Sequence, residues 1–302
     1  MSTLVRLLAA AVAGLLISAC GSKSSSDPAS PPAPTGSPRL LLSSAANSNA
    51  AAALSVTVTA QDGLGKTIAD YTGTVHFTST DTAAVLPSDL VFTGAEGGTQ
   101  ITSATFNTLG TQTLTGTQAT DASMTGATAV AVHGFVYTDP SGGFGSVRLV
   151  RNAAASSASL VQLDLVQANA LSAAYGAGMN LPLDTSRVAA ATPLLVEGAA
   201  LFLGTAPRAS AATLSTSGPA AGTLLVAVSQ KGSGAGSRAT NTAVAGGAVY
   251  YSIRLALPAA ASTGTVFDGN ALPAAFRAAV RDRVGNDRVS QSDFALGKLE
   301  IR

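Results

Sequence analysis

Leu54-Ser55-Val56-Thr57-Val58-Thr59-Ala60-Gln61-Asp62-Gly63-Leu64-Gly65-Lys66 alternates strictly and then breaks into turn chemistry. Leu54, Val56 and Val58 point one way and Ser55, Thr57 and Thr59 the other, which is the period of a half-buried strand. Asp62 to Lys66 supplies the turn, because glycine tolerates positive φ and aspartate bonds its own backbone. Downstream, Gly73 to Thr78 repeats the pattern, with Val75 and Phe77 inward and Thr74, His76 and Thr78 outward. Further strand candidates are Leu90 to Thr93, Gln100 to Asn107, Gly110 to Thr117 and Ala127 to Val132. Short strands at this spacing, without helix-length periods between them, predict an antiparallel sandwich over residues 39–133.

The same alternation continues toward the C-terminus. Val147 and Leu149 flank Arg148. Val161, Leu163 and Leu165 flank Gln162 and Asp164, and Met179, Leu181 and Leu183 flank Asn180 and Pro182. Long strands are expected at Leu224 to Ser229 and Val249 to Leu257, and a final one at Leu296 to Ile301, which leaves little room for a C-terminal anchor. Between the halves, residues 134–144 form a glycine-rich connector carrying Phe135, Tyr137 and Phe144, expected as an edge strand of the second domain plus a turn. Leu272, Phe276, Val280 and Val284 recur every four residues, as on a helix face. Phe276, Ala278 and Val280 also alternate, and Asp282-Arg283-Val284-Gly285-Asn286 repeats the turn of Asp62 to Lys66, which favours a hairpin over a short helix. The expected fold class is all-β: two tandem antiparallel β-sandwiches, over residues 39–133 and 145–302.

The N-terminus is of another kind. Arg6 precedes Leu7 to Ile17, an apolar run broken only by Gly14. It is too short for a bilayer core of roughly 30 Å and reads as the apolar part of an export signal over residues 1–19. No later apolar run approaches the length of a membrane span. The run ends on Ile17-Ser18-Ala19-Cys20, where Ser18-Ala19 alone would serve simple secretion. The cysteine directly after that pattern resembles the lipobox of bacterial lipoproteins. The resemblance implies that Cys20 is lipidated on sulfur, becomes the mature N-terminus and is then acylated on its amine, giving the stable anchoring that one chain alone does not provide. Gly21 stands where inner-membrane retention is associated with aspartate, so in a Gram-negative source the resemblance implies an outer-membrane address. From Gly21 to Pro38 the composition shifts to Ser, Pro, Ala and Gly, a linker that cannot bury a core and is expected as a flexible tether over residues 20–38.

Two further resemblances concern the folded part. Leu54 to Phe77, followed by Asp81-Thr82-Ala83-Ala84-Val85-Leu86-Pro87, Phe92-Thr93 and Leu109-Gly110-Thr111-Gln112-Thr113-Leu114, resembles the bacterial Ig-like domains of surface proteins. Such domains are spacers, adhesive modules and stalks, and the likeness does not choose among these. Antibody-type cysteines and a core tryptophan are lacking. Leu160 to Val166, Gly176 to Val188, an intervening Gly/Ala-rich insertion and Gly246 to Phe267 are similar in layout to the cohesin-like, or jelly-roll type, sandwich of extracellular proteins, with no particular partner implied.

The chain has 302 residues, one cysteine, no tryptophan, 11% charged residues and a formal net charge of +1. Bulk charge therefore attracts no nucleic acid, and with Cys20 used for lipid the mature chain has no disulfide. No Gly-x-Ser-x-Gly elbow is present, and the two histidines are His76, on an outward strand face, and His133, at a domain boundary, so no triad is legible. There is no His/Cys cluster for zinc. Asp282, Asn286 and Asp287, with Asp139 and Asp184, are candidate calcium ligands by type but read as turn formers, since no Asp-x-Asp-x-Asp spacing supplies six to eight oxygens. The 16 acidic residues include no carboxylate pair in a recognisable glycosidase setting. Gly232 to Gly247 lacks the Gly-Lys-Ser/Thr of a phosphate loop and is expected as a long mobile loop. No cofactor or metal is expected. The leading expectation is a membrane-tethered, non-enzymatic surface module whose second sandwich contacts a protein or the envelope. The alternatives are a carbohydrate-binding module, for which 5% aromatic residues offer few stacking platforms, and a hydrolase with a site assembled from distant residues.

Overall fold

The structure, a computed structural model, describes residues 36–141, 145–201, 208–230, 241–259 and 261–302. Cys20, its flanking signal and most of the linker, together with residues 232–240 of the expected loop, lie outside the described residues. Among the described residues no α-helix occurs, and none of their helices is long and apolar enough to cross a membrane.

The first half forms β1 (Arg39–Ser44), β2 (Asn47–Asn49), β3 (Ala53–Gln61), β4 (Thr72–Ser79), β5 (Leu90–Thr93), β6 (Thr99–Thr105), β7 (Gly110–Gln118) and β8 (Asp121–His133). They make two sheets, ordered β1-β3-β6 and β2-β8-β7-β4-β5. The chain changes sheet between β1 and β2, and β2 then runs parallel to β8 while the remaining pairs are antiparallel. Leu54, Val56 and Val58 of β3 share a core with Val75, Phe77, Leu114 and Val130 of the facing sheet. Burying each side chain of this size contributes about 1.5–3 kcal/mol.

The second half forms β9 (Phe135–Thr138), β10 (Val147–Arg151), β11 (Leu160–Gln167), β12 (Leu171–Ala174), β13 (Gly176–Pro182), β14 (Ala189–Glu197), β15 (Arg208–Ser215), β16 (Thr223–Gln230), β17 (Thr242–Val244), β18 (Val249–Ala256), β19 (Gly264–Asp268), β20 (Arg277–Arg281), β21 (Asp287–Val289), β22 (Phe294–Leu296) and β23 (Lys298–Ile301). Two five-stranded sheets, β14-β18-β11-β10-β22 and β15-β16-β13-β20-β21, enclose a separate core, with the smaller sheets β19-β23-β9 and β12-β17 beside them. β10 and β22 are parallel. Phe135 and Tyr137 of β9 belong to this second core, and β9 is an edge strand paired with β23.

The helix-or-hairpin ambiguity resolves to a hairpin. β20 pairs with β21 across the Asp282–Asn286 turn, and Phe276, Ala278 and Val280 are buried. This turn duplicates the one after β3. Asp62 N–H donates to Lys66 O and Gly65 N–H to Asp62 O, while Asp62 Oδ1 accepts from the N–H groups of Leu64 and Lys66. Asp282, Val284, Gly285 and Asn286 repeat each bond in the same places. Both turns require positive φ at their glycine, 83° at Gly65 and 95° at Gly285.

Only Gly134 separates β8 from β9. Its N–H donates to Arg302 O and its carbonyl accepts from Arg302 N–H. A Cβ at this position would lie 2.6 Å from Leu109 Cδ2 and 3.1 Å from Ala158 O, so glycine is what allows the two sandwiches to approach here. Asn49 Nδ2 donates to Pro258 O across the same junction.

Candidate functional site

Neither histidine sits in a catalytic arrangement. His76 is exposed, its Nδ1 2.8 Å from Asp89 Oδ1. His133 is buried, its Nδ1 3.2 Å from Ala261 O. Among the described residues, no group of three or more His, Cys, Asp or Glu side chains could hold a metal. The aspartates of calcium-ligand type have other partners. Asp282 caps its own turn, Asp287 pairs with Arg281 at 2.7 Å, and Asp139 accepts from Arg151 N–H. Asp184 accepts from Ser186 and from Arg187 Nε. Serine and arginine hydrogen bonds hold the Asp184 carboxyl below the usual carboxylate range against the opposing effect of burial.

Two buried polar side chains act as structural clamps. Asp81, 4% exposed, accepts from Ala83 N–H and Thr108 Oγ1 through Oδ1, and from the N–H groups of Asn107 and Thr108 through Oδ2. Burial alone would raise its pKa. The four hydrogen bonds outweigh that and hold it at about 2. Tyr137 is neutral, its hydroxyl donating to Leu149 O at 2.6 Å and accepting from Gly297 N–H at 2.9 Å. Burial pushes its phenol well above the usual range.

The surface feature with a receptive shape is a cleft of about 630 Å³ on the outer face of the β15-β16-β13-β20-β21 sheet. Strand register explains it. Ala211, Ala227, Gly178 and Ala279 lie side by side across four strands, so the middle of the face carries nothing larger than a methyl group. The next row, Thr213, Leu225, Asn180 and Arg277, walls one side, and Ser229, Gly176 and Arg281 stand on the other. Residues 176, 178 and 180 point outward because 177, 179 and 181 fill the core.

Gly178 is not required by the backbone. Neither Gly176 nor Gly178 has positive φ, but a Cβ at Gly176 would sit a tight 3.3 Å from Val228 O and Ser229 Cβ, whereas one at Gly178 would meet only ordinary contacts, 3.4 Å to Val226 O and 3.9 Å to Ala227 Cβ. Glycine inside a strand costs roughly 0.5–1 kcal/mol relative to alanine, and such positions mark places where another surface approaches the backbone closely. Asn180 Oδ1 is buried in the cleft wall without a hydrogen-bond partner among the described residues. Arg277, Arg281 and Arg283 border the cleft on β20 and the turn after it, together with Asp282 and Asp287, and Arg281 is paired with Asp287 at 2.7 Å. Lys and Arg outnumber Asp and Glu over residues 134–302, and the reverse holds over 39–133. The sequence reading did not single out this cleft.

No family model matches the chain. No curated protein matches it either. Among solved structures it is similar to two portions of the surface layer protein SbsC. With domains 4–9 the identity is 13% and the TM-score 0.22, over 82% of this chain and 37% of that one. With domains 5–6 the identity is 13% and the TM-score 0.22, over 71% of this chain and 94% of that one. The chain thus spans 37% of the first of these.

Proposed function

We propose that this chain is a lipid-anchored, extracytoplasmic, non-enzymatic interaction module, in which the first sandwich spaces and the second makes contact. The observation that carries the reading is the cleft floored by Gly178 between Ala227 and Ala279, where the sheet forgoes a side chain that its backbone would accept. Its shape suits a protein or envelope partner that brings small apolar groups to the bare middle of the sheet and polar groups to a border of mixed charge. The two-sheet arrangement of each half is compatible with an Ig-like type for residues 39–133 and a cohesin-like or jelly-roll type for residues 145–302, types that rest on the sequence resemblances. The anchor rests on Ile17-Ser18-Ala19-Cys20 and the apolar run before it, and in a Gram-negative cell the protein is placed at the outer membrane.

Two measurements test this. Cys20→Ala moves the chain from the membrane to the soluble fraction, and retention in the membrane would overturn the anchor. Hydrogen exchange on the chain in its native envelope, compared with the purified chain, shows protection over β13, β16 and β20 that Gly178→Leu removes. Equal exchange in both settings would remove the cleft as the contact face.

A further inference from the structure

Val132 lies in the first core and Phe135 in the second, so the chain crosses between the sandwiches within two residues. His133 is held in its ladder opposite Asn49, which leaves Gly134 to change φ and ψ if the sandwiches are to swing. Swinging is the ordinary expectation for domains joined by a short crossing. Hinges are a few element-terminal residues that absorb changes in φ and ψ, and glycine has the widest choice of both.

In this structure Gly134 is denied that choice. Its N–H donates to Arg302 O at 2.8 Å and its carbonyl accepts from Arg302 N–H at 3.1 Å, a two-way pair that extends the β9–β23 ladder one residue beyond Phe135 and Ile301. Turning either dihedral takes these bonds out of line. Phe135 N–H donates to Ala158 O at 2.7 Å, and Ala158, a residue of the second half, packs against the first core. His133 Nδ1 and Asn49 Nδ2 reach Ala261 O and Pro258 O at 3.2 and 3.1 Å. We infer that Gly134 is a hinge held shut by the backbone of Arg302: the sandwiches move as one body while the pair is made and swing when it is released. The Arg302 side chain bonds Glu300 at 2.9 Å, within its own strand end, so the clasp is the main chain and not the guanidinium. Displacing the end of β23 is therefore what opens the joint. This concerns the joint alone and holds whichever surface of the second sandwich makes contact.

Pulsed electron spin resonance on the full chain carrying Cys20→Ala tests it, with spin labels placed by Ile101→Cys in the first sandwich and Leu225→Cys in the second, both exposed positions. This parent gives a single narrow distance distribution. Removing Arg302 broadens the distribution or splits it in two, with unchanged circular dichroism. Arg302→Pro, which removes the N–H donor and keeps the carbonyl, broadens it less. Arg302→Ala keeps the backbone pair and leaves the distribution as in the parent. A broad distribution in the parent overturns the inference. So does a narrow one after removal of Arg302, or a broadening by Arg302→Ala equal to that caused by the removal.

Discussion

The two sandwiches solve the same problem with opposite chemistry: each uses one buried polar side chain to tie together backbone segments far apart in sequence. In the first the tie is an anion, Asp81, gathering the N–H groups of Ala83, Asn107 and Thr108 and the hydroxyl of Thr108. In the second it is a neutral phenol, Tyr137, spanning Leu149 and Gly297. An anion recruits several donors at once and makes stronger bonds, but it remains an anion only above its pKa. A phenol makes two bonds and keeps them through the acid range. The first sandwich thus gains strength at its clamp and with it a dependence on pH that the second lacks.

That contrast can be broken by substitution. Asp81→Ala leaves three backbone donors and one hydroxyl without their acceptor and should destabilise the first sandwich by about 3 kcal/mol, read as a lowered midpoint in denaturant. A midpoint within error of the wild type would mean that water replaces the carboxylate at no loss. Tyr137→Phe should cost about 1–2 kcal/mol and act on the second sandwich, as near-neighbour amide exchange around Gly297 would show. Acid sharpens the comparison further. Asp81 is depressed in the folded state to about 2 from an ordinary 3.8, so its contribution is complete above the ordinary value and is lost as pH falls through the folded one. Amide exchange around Asn107 and Thr108 should rise between pH 4 and 2, while exchange around Gly297 shows no matching rise, and Asp81→Asn should flatten the first response. The smallest effect is expected from the duplicated turn. Asp62→Ala and Asp282→Ala should each lower the melting temperature slightly, and unequal shifts would show that the surroundings, not the shared bonds, set what such a turn contributes.

The strands with strict alternation were legible because alternation and burial are the same fact in a two-sheet fold. Leu54, Val56 and Val58 of β3, and Val161, Leu163 and Leu165 of β11, all face their cores. The hairpin at Asp282 to Asn286 was legible through its turn chemistry. What escaped were strands without apolar contrast, such as β2 with its two asparagines and β14 and β15 in an alanine-rich stretch, which owe their state to the strands beside them. The cleft escaped for a related reason. Gly178 is one glycine among many until register sets it between Ala227 and Ala279.

The single-residue joint at Gly134 has a mechanical meaning. Tension applied between the sandwiches enters the second one along β9, from Phe135 to Thr138, whose partners in β23 run from Ile301 back to Lys298. A pull directed along β9 would load its bonds to β23 in shear, so that they yield together instead of peeling one after another. The last residues of the chain serve as the latch through which force passes from one half of the molecule to the other.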